Sequence, residues 1–149
     1  MFKVLIAEDE PPIMRMIKST LESVDSDFKV TECCINGKNA VEKLKNEDFD
    51  IVITDIKMPI MTGIELAGWI YQNKPDTKVI IVSGYSDFEY ARKALEYKVF
   101  DYLLKPISKD KVSELTQRIK SEIAEKNKMF AENNTIVILA CAGAYLLYG

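Results

Sequence analysis

Three acids and one lysine stand out because each comes just after an apolar run. Asp55 follows Ile51-Val52-Ile53-Thr54 and precedes Ile56-Lys57-Met58-Pro59, with Gly63 shortly after. Glu8-Asp9-Glu10 follows Lys3-Val4-Leu5-Ile6-Ala7. Lys105-Pro106 follows Asp101-Tyr102-Leu103-Leu104. A carboxylate carried to the tip of a buried strand and released into a sharp loop is poorly solvated and open on one side. If the three runs are parallel neighbours, their carboxyl ends share one crevice. A crevice with Glu8, Asp9, Asp55 and Lys105 suits a divalent cation and a phosphoryl group.

The elements that must hold these residues alternate along the chain. Lys3 to Ala7 reads as a buried strand, and Pro11-Pro12 suits the first turn of a helix, where missing N–H groups cost little. Ile13, Met14, Ile17 and Leu21 recur at helical spacing. Phe28 to Ile35 reads as a second strand and Asn36-Gly37 as a turn. Ala40, Val41 and Leu44 mark a second helix, Phe49 to Thr54 a third strand, and Ile64, Leu66, Ala67 and Ile70 a third helix that stops before Pro75. Thr77 to Ser83 is a continuous apolar strand, buried on both faces if read literally. Phe88, Ala91, Ala94 and Leu95 predict a weaker fourth helix, and Phe100 to Leu104 a fifth strand. Val112, Leu115, Ile119 and Ile123 carry a long amphipathic helix. Five strands joined by helices of this length pair in parallel through right-handed crossovers. The fold class expected is α/β, with helices on both faces of one sheet.

Composition narrows the chemistry. The chain has 149 residues, 48% hydrophobic and 29% charged, with a net charge of −3. That balance argues against wrapping nucleic acid unaided, which needs clustered excess Lys and Arg. There is no histidine, which removes histidine-ligated zinc, Ser-His and Cys-His catalysis and any phosphohistidine carrier role. Cys33, Cys34 and Cys141 make no disulfide framework, and they read as small apolar residues of a reduced, cytoplasmic protein. Cys33 and Cys34 are adjacent, so they should point to opposite faces of a strand. The N-terminus runs straight into a strand, with no signal peptide expected.

Four motifs in this order carry a resemblance: Val4-Leu5-Ile6-Ala7-Glu8-Asp9-Glu10, Asp55-Ile56-Lys57-Met58-Pro59 with Gly63, Ser83-Gly84-Tyr85, and Tyr102-Leu103-Leu104-Lys105-Pro106. Over roughly Met1 to Glu125 the chain resembles the receiver domain of two-component response regulators. Ser83 to Ala91 is also similar to receivers found upstream of AraC-type DNA-binding domains. The resemblance implies a doubly wound (βα)₅, flavodoxin-like fold with sheet order 2-1-3-4-5. It implies Asp55 as phosphoacceptor and Mg²⁺ held by Glu8, Asp9, Asp55 and the Lys57 backbone carbonyl. Most receivers have two aspartates where this chain has Glu8-Asp9, so a water-bridged role for Glu8 is an alternative. Lys105 would meet a phosphoryl oxygen, aimed by a cis bond to Pro106; Ser83 would donate a hydroxyl to it. Tyr102 would act as the rotamer switch, and Lys57 and Tyr85 would flank the entrance.

Each residue also has a plainer reading. Asp55 is a fit helix cap, Glu8 and Asp9 a solvated strand end, Lys105 a surface lysine, Ser83 a turn former and Tyr102 a half-buried strand tyrosine. The function expected is acceptance of phosphate from a sensor histidine kinase, without turnover of external substrates. A partner or second copy would bind the face of the fourth helix, fifth strand and fifth helix. Rivals are an aspartyl phosphatase, which usually carries a second Asp where this chain has Lys57, and a phosphate-independent interaction module. Two domains are expected: a receiver over 1–125 and an extension over 126–149 with an apolar tail, Ile136 to Tyr148. About 13 apolar residues fall short of the ~20 of a membrane-spanning helix, so insertion is not expected. No helix-turn-helix follows Glu125. DNA would be reached only through a domain absent from this chain, in a fragment of a longer regulator; a stand-alone receiver is the alternative.

Overall fold

Helices and strands alternate through five β-α units in the computed structural model, which describes residues 1–84 and 88–148, for 135–148 the backbone alone. The elements are β1 (Phe2–Ala7), α1 (Pro11–Val24), β2 (Phe28–Cys34), α2 (Gly37–Asn46), β3 (Ile51–Thr54), α3 (Gly63–Asn73), β4 (Lys78–Ser83), α4 (Phe88–Glu96), β5 (Asp101–Leu104) and α5 (Lys109–Tyr148). One parallel sheet has the order β2-β1-β3-β4-β5. This is the doubly wound α/β arrangement expected from the alternation, shifted by one or two residues at several strand ends. Readings placed on Tyr85, and on the side chains of Cys141 and the Ile136–Tyr148 tail, lie outside the described residues.

The central strands are buried on both faces because helices cover both. Every residue of β3 is buried, as are Val4 to Ala7 of β1. Leu5, Ala7, Val52, Val79 and Ile81 form one cluster with Ala40, Val41 and Leu44 of α2 and Leu66, Ala67 and Ile70 of α3. Burying each Val, Leu or Ile contributes about 1.5–3 kcal/mol, so this packing fixes the strand tips rigidly. On edge strand β2 the partner of Leu5 is Glu32 rather than Thr31, a bulge that interrupts the ladder. Cys34 is buried and Cys33 exposed, as adjacency predicts.

Local chemistry sets the helix starts. Pro11 and Pro12 occupy the first positions of α1. Asn36 is the cap of α2, its side chain accepting from the Asn39 amide at 2.8 Å, and Thr62 caps α3 by accepting from Glu65 at 3.2 Å. Asn36-Gly37 is therefore a helix start rather than a free turn.

The weaker helical pattern of the fourth helix does form a helix, α4, but one with little buried surface. Ala94 is its only buried residue, while Phe88 is 77% and Leu95 79% exposed. The helix meets the core through Ala94 and half-buried Tyr90, while Phe88 and Leu95 face solvent. The fifth helix continues through the tail as one 40-residue element, rather than ending with the amphipathic stretch. Val112, Leu115 and Ile119 are buried within it. The chain forms two units, Met1–Ser113 and Glu114–Gly149. Among the described residues, no helix is long and apolar enough to cross a membrane.

Candidate functional site

The carboxyl ends of β1, β3, β4 and β5 lie side by side, and the expected site residues leave the sheet there. Backbone bonds extend the ladder past the strand tips. The Asp55 amide donates to the Ala7 carbonyl (3.1 Å), that of Glu8 to Cys34 (2.9 Å), and that of Lys105 to Ser83 (2.8 Å). Each functional side chain thus starts from an anchored main chain.

Glu8, Asp9 and Asp55 each offer a carboxylate oxygen, and these oxygens lie within 4.8 Å of one another. Lys105 Nζ donates to Asp55 Oδ2 at 3.0 Å and to Glu8 Oε2 at 3.3 Å. Asp55 Oδ1 accepts from the Ile56 amide at 2.7 Å, and Glu8 Oε1 from Glu10 at 3.3 Å. The Asp55 carboxylate caps no helix, because Thr62 holds that position for α3. Nor is Glu8 at a solvated strand end: its side chain is 1% exposed, against 12% for Asp55 and 19% for Lys105. Asp9 is half-buried.

Ser83 closes β4 and is buried. Thr54 pairs with Ile81 across β3 and β4, so Asp55 and Ser83 emerge at the same end of the sheet. Tyr102 pairs with Ile81 on β5, is half-buried, and lines a cavity of about 300 Å³ with Ala91, Ala94, Leu95 and Val99. Lys57 is exposed in the loop after Asp55. The Lys105–Pro106 bond is cis.

The electrostatics are unbalanced towards negative charge. Burial, then the charge of Asp55, pushes the Glu8 carboxyl up to about 7 against the pull of Lys105. For Lys105, burial acts downward, but the hydrogen bond and charge of Asp55, backed by Glu8, hold it above its ordinary value. The Lys105 ammonium is thus shared by Glu8 and Asp55, with the Asp9 carboxylate beside them. Clustered hard oxygen donors with surplus negative charge fit a small divalent cation.

Two features shape the loop after Asp55: the sequence names Gly63 in its motif without the reason for it, and it gives no sign of Ile60. A Cβ on Gly63 would lie 1.8 Å from the Asp55 carbonyl oxygen, so only glycine lets α3 begin this close. Ile60 has φ 71°, a left-handed conformation rare for a β-branched residue. Only close approach of main chain, visible in three dimensions, exposes either one.

A five-stranded doubly wound sheet with acids at its carboxyl edge is compatible with a signalling receiver, and the family comparison identifies it as one. The model of the response regulator receiver domain matches residues 4–120, and the chain belongs to that family. It is 34% identical over 127 residues, 85% of its length, to the uncharacterized transcriptional regulatory protein YesN of Bacillus subtilis. It is 33% identical over 126 residues, again 85% of its length, to the transcriptional regulatory protein HptR of Staphylococcus aureus. The chain spans only 34% and 49% of those two proteins. The REC domain of AraT, a response regulator from Geobacillus stearothermophilus, superposes with a TM-score of 0.75 at 31% identity, covering 85% of this chain and 98% of that one. Receiver domains serve two-component signalling rather than metabolic turnover.

Proposed function

We propose that Asp55 accepts a phosphoryl group from the phosphohistidine of a sensor histidine kinase. A carboxylate oxygen of Asp55 attacks phosphorus in line, and the phosphorus–nitrogen bond breaks with its electron pair going to the imidazole. An acyl phosphate results. Glu8, Asp9, Asp55 and the Lys57 carbonyl would hold Mg²⁺, which would supply positive charge to offset the acids and the incoming phosphoryl group. The Lys105 ammonium exchanges its Asp55 partner for a phosphoryl oxygen. Ser83 donates its hydroxyl to another, and Tyr102 turns towards the space this opens. The added charge biases two arrangements of the face around α4 and β5, which binds a partner or a second copy of the chain.

The reading is carried by the convergence of three carboxylates within 4.8 Å with an ammonium 3.0 Å from Asp55. Incubation with acetyl phosphate and Mg²⁺ should give a hydroxylamine-sensitive phosphoryl label on Asp55. Asp55→Asn or chelation should abolish it. Equal labelling of that variant would overturn the assignment.

The matched relatives favour a second level of the proposal. Both are transcriptional regulatory proteins longer than this chain. The receiver would then control, in the cytoplasm, a DNA-binding part lying outside this chain. A longer reading frame lacking any DNA-binding pattern would remove this level alone.

A further inference from the structure

The main chain between Asp55 and α3 is held in a conformation it would not choose. The Met61 amide donates to the Pro59 carbonyl at 2.8 Å, closing a three-residue turn around Ile60. Ile60 is 75% exposed, so no side-chain packing explains its φ of 71°. A branched residue in the left-handed region persists only where its surroundings over-determine it. Those surroundings can be named. Ile56 and Met58 are buried anchors. The Gly63 amide donates to the Ile56 carbonyl at 2.8 Å, fixing one end of the loop. The other hold comes from α2, where the Gly37 amide donates to the Met61 carbonyl at 3.2 Å. A Cβ on Gly37 would lie 2.8 Å from that carbonyl oxygen and 2.8 Å from Met61 Cγ. The carbonyl is main chain, so the loop itself would have to move. Gly37 cannot yield instead, because buried Asn36 caps the same helix.

We propose that Gly37 is a positioning residue for the cation site. It does not touch the site; it acts by holding Met61 and thereby the strained loop that carries Lys57. The inference rests on the phosphoacceptor reading above, which places the Lys57 carbonyl among the Mg²⁺ ligands. Mg²⁺ demands near-ideal geometry at short distances, so a small shift of the loop main chain costs affinity. Partners that only orient ligands are typically worth 10–100-fold in metal binding.

The test is Gly37→Ala, made in the full chain. Alanine is the better helix former, so a purely helical role for position 37 predicts a higher Tm and unchanged Mg²⁺ affinity. The positioning role predicts Mg²⁺ affinity by calorimetry weakened about tenfold or more. It also predicts acetyl phosphate labelling that needs more Mg²⁺ but recovers its rate at saturation. Unchanged affinity overturns the inference. Amide exchange in the wild-type protein keeps the test open should the variant fold poorly. Coupling is reciprocal, so saturating Mg²⁺ must slow exchange of the Gly37 amide; exchange indifferent to Mg²⁺ would also overturn the proposal. Failure of the wild-type protein to bind Mg²⁺ at all would instead sink the phosphoacceptor reading, and this inference with it.

Discussion

The two ends of the same sheet carry the same kinds of side chain and treat them oppositely. At the amino end of the strands, acids and lysines form solvent-accessible pairs, Lys3 with Glu47 at 2.7 Å and Lys74 with Asp48 at 2.6 Å, with Asp50 and Asp76 nearby. These pairs border an open cleft of about 370 Å³ that Lys3, Asp48 and Lys74 help to line. At the carboxyl end, Lys105 is shared between Glu8 and Asp55, Asp9 lies close by, and Glu8 is almost wholly enclosed. Water screens the first arrangement, whereas in the second burial and crowding push Glu8 up to about 7. An acidic residue at a strand end is therefore uninformative by itself. Enclosure separates a solvated rim from a site poised to take up a cation.

The contrast predicts very different costs of substitution. Lys105→Met leaves Glu8 and Asp55 without their ammonium, and unfolding in Mg²⁺-free urea titrations should show a loss of about 3 kcal/mol. Acyl phosphate formation should fall with it. Glu8 is next. Its pKa is raised in the folded protein from 4.5 to about 7, so between those values the native state keeps a proton that the unfolded chain has released. Stability without Mg²⁺ should therefore fall as pH rises through that window, by about 2–3 kcal/mol in all, and level off above it. Glu8→Gln should flatten the slope. In the wild-type protein Mg²⁺ affinity should weaken by up to about tenfold per pH unit below 7, as proton and cation compete for Glu8. At the other end, Glu47→Gln should cost about 1 kcal/mol or less and leave Mg²⁺ binding untouched. A loss there equal to that of Lys105→Met would break the contrast between the two ends. Smallest of all, Ile60→Gly relieves the left-handed strain and should raise stability by up to about 1 kcal/mol in the same titration, after the entropy that glycine loses.

Much of this was legible along the chain, for physical reasons. Buried parallel strands must be apolar throughout, so Ile51–Thr54 and Lys78–Ser83 announce themselves, and the residue after each falls at the sheet edge. Period alone could not say which apolar residues of α4 meet the core. Burial there went to Ala94 because a small side chain lets the helix sit close, leaving Phe88 and Leu95 outside. The acids and the lysine were readable as candidates, yet their ratio in space was not, since it depends on which strand tips become neighbours. Ile60 was silent altogether, and Gly37 was legible only as part of a turn signal. Left-handed φ at an isoleucine defies local preference, and the Gly37 carbonyl partner lies 24 positions further along the chain.

The main-chain bonds from Asp55 to Ala7, Glu8 to Cys34 and Lys105 to Ser83 have a wider consequence. They hold the scaffold together whatever side chains are mounted on it. A lineage could exchange the acids and keep the frame, so chemistry and architecture are free to be inherited separately. Kinship of shape by itself then says little about whether a descendant still carries phosphate.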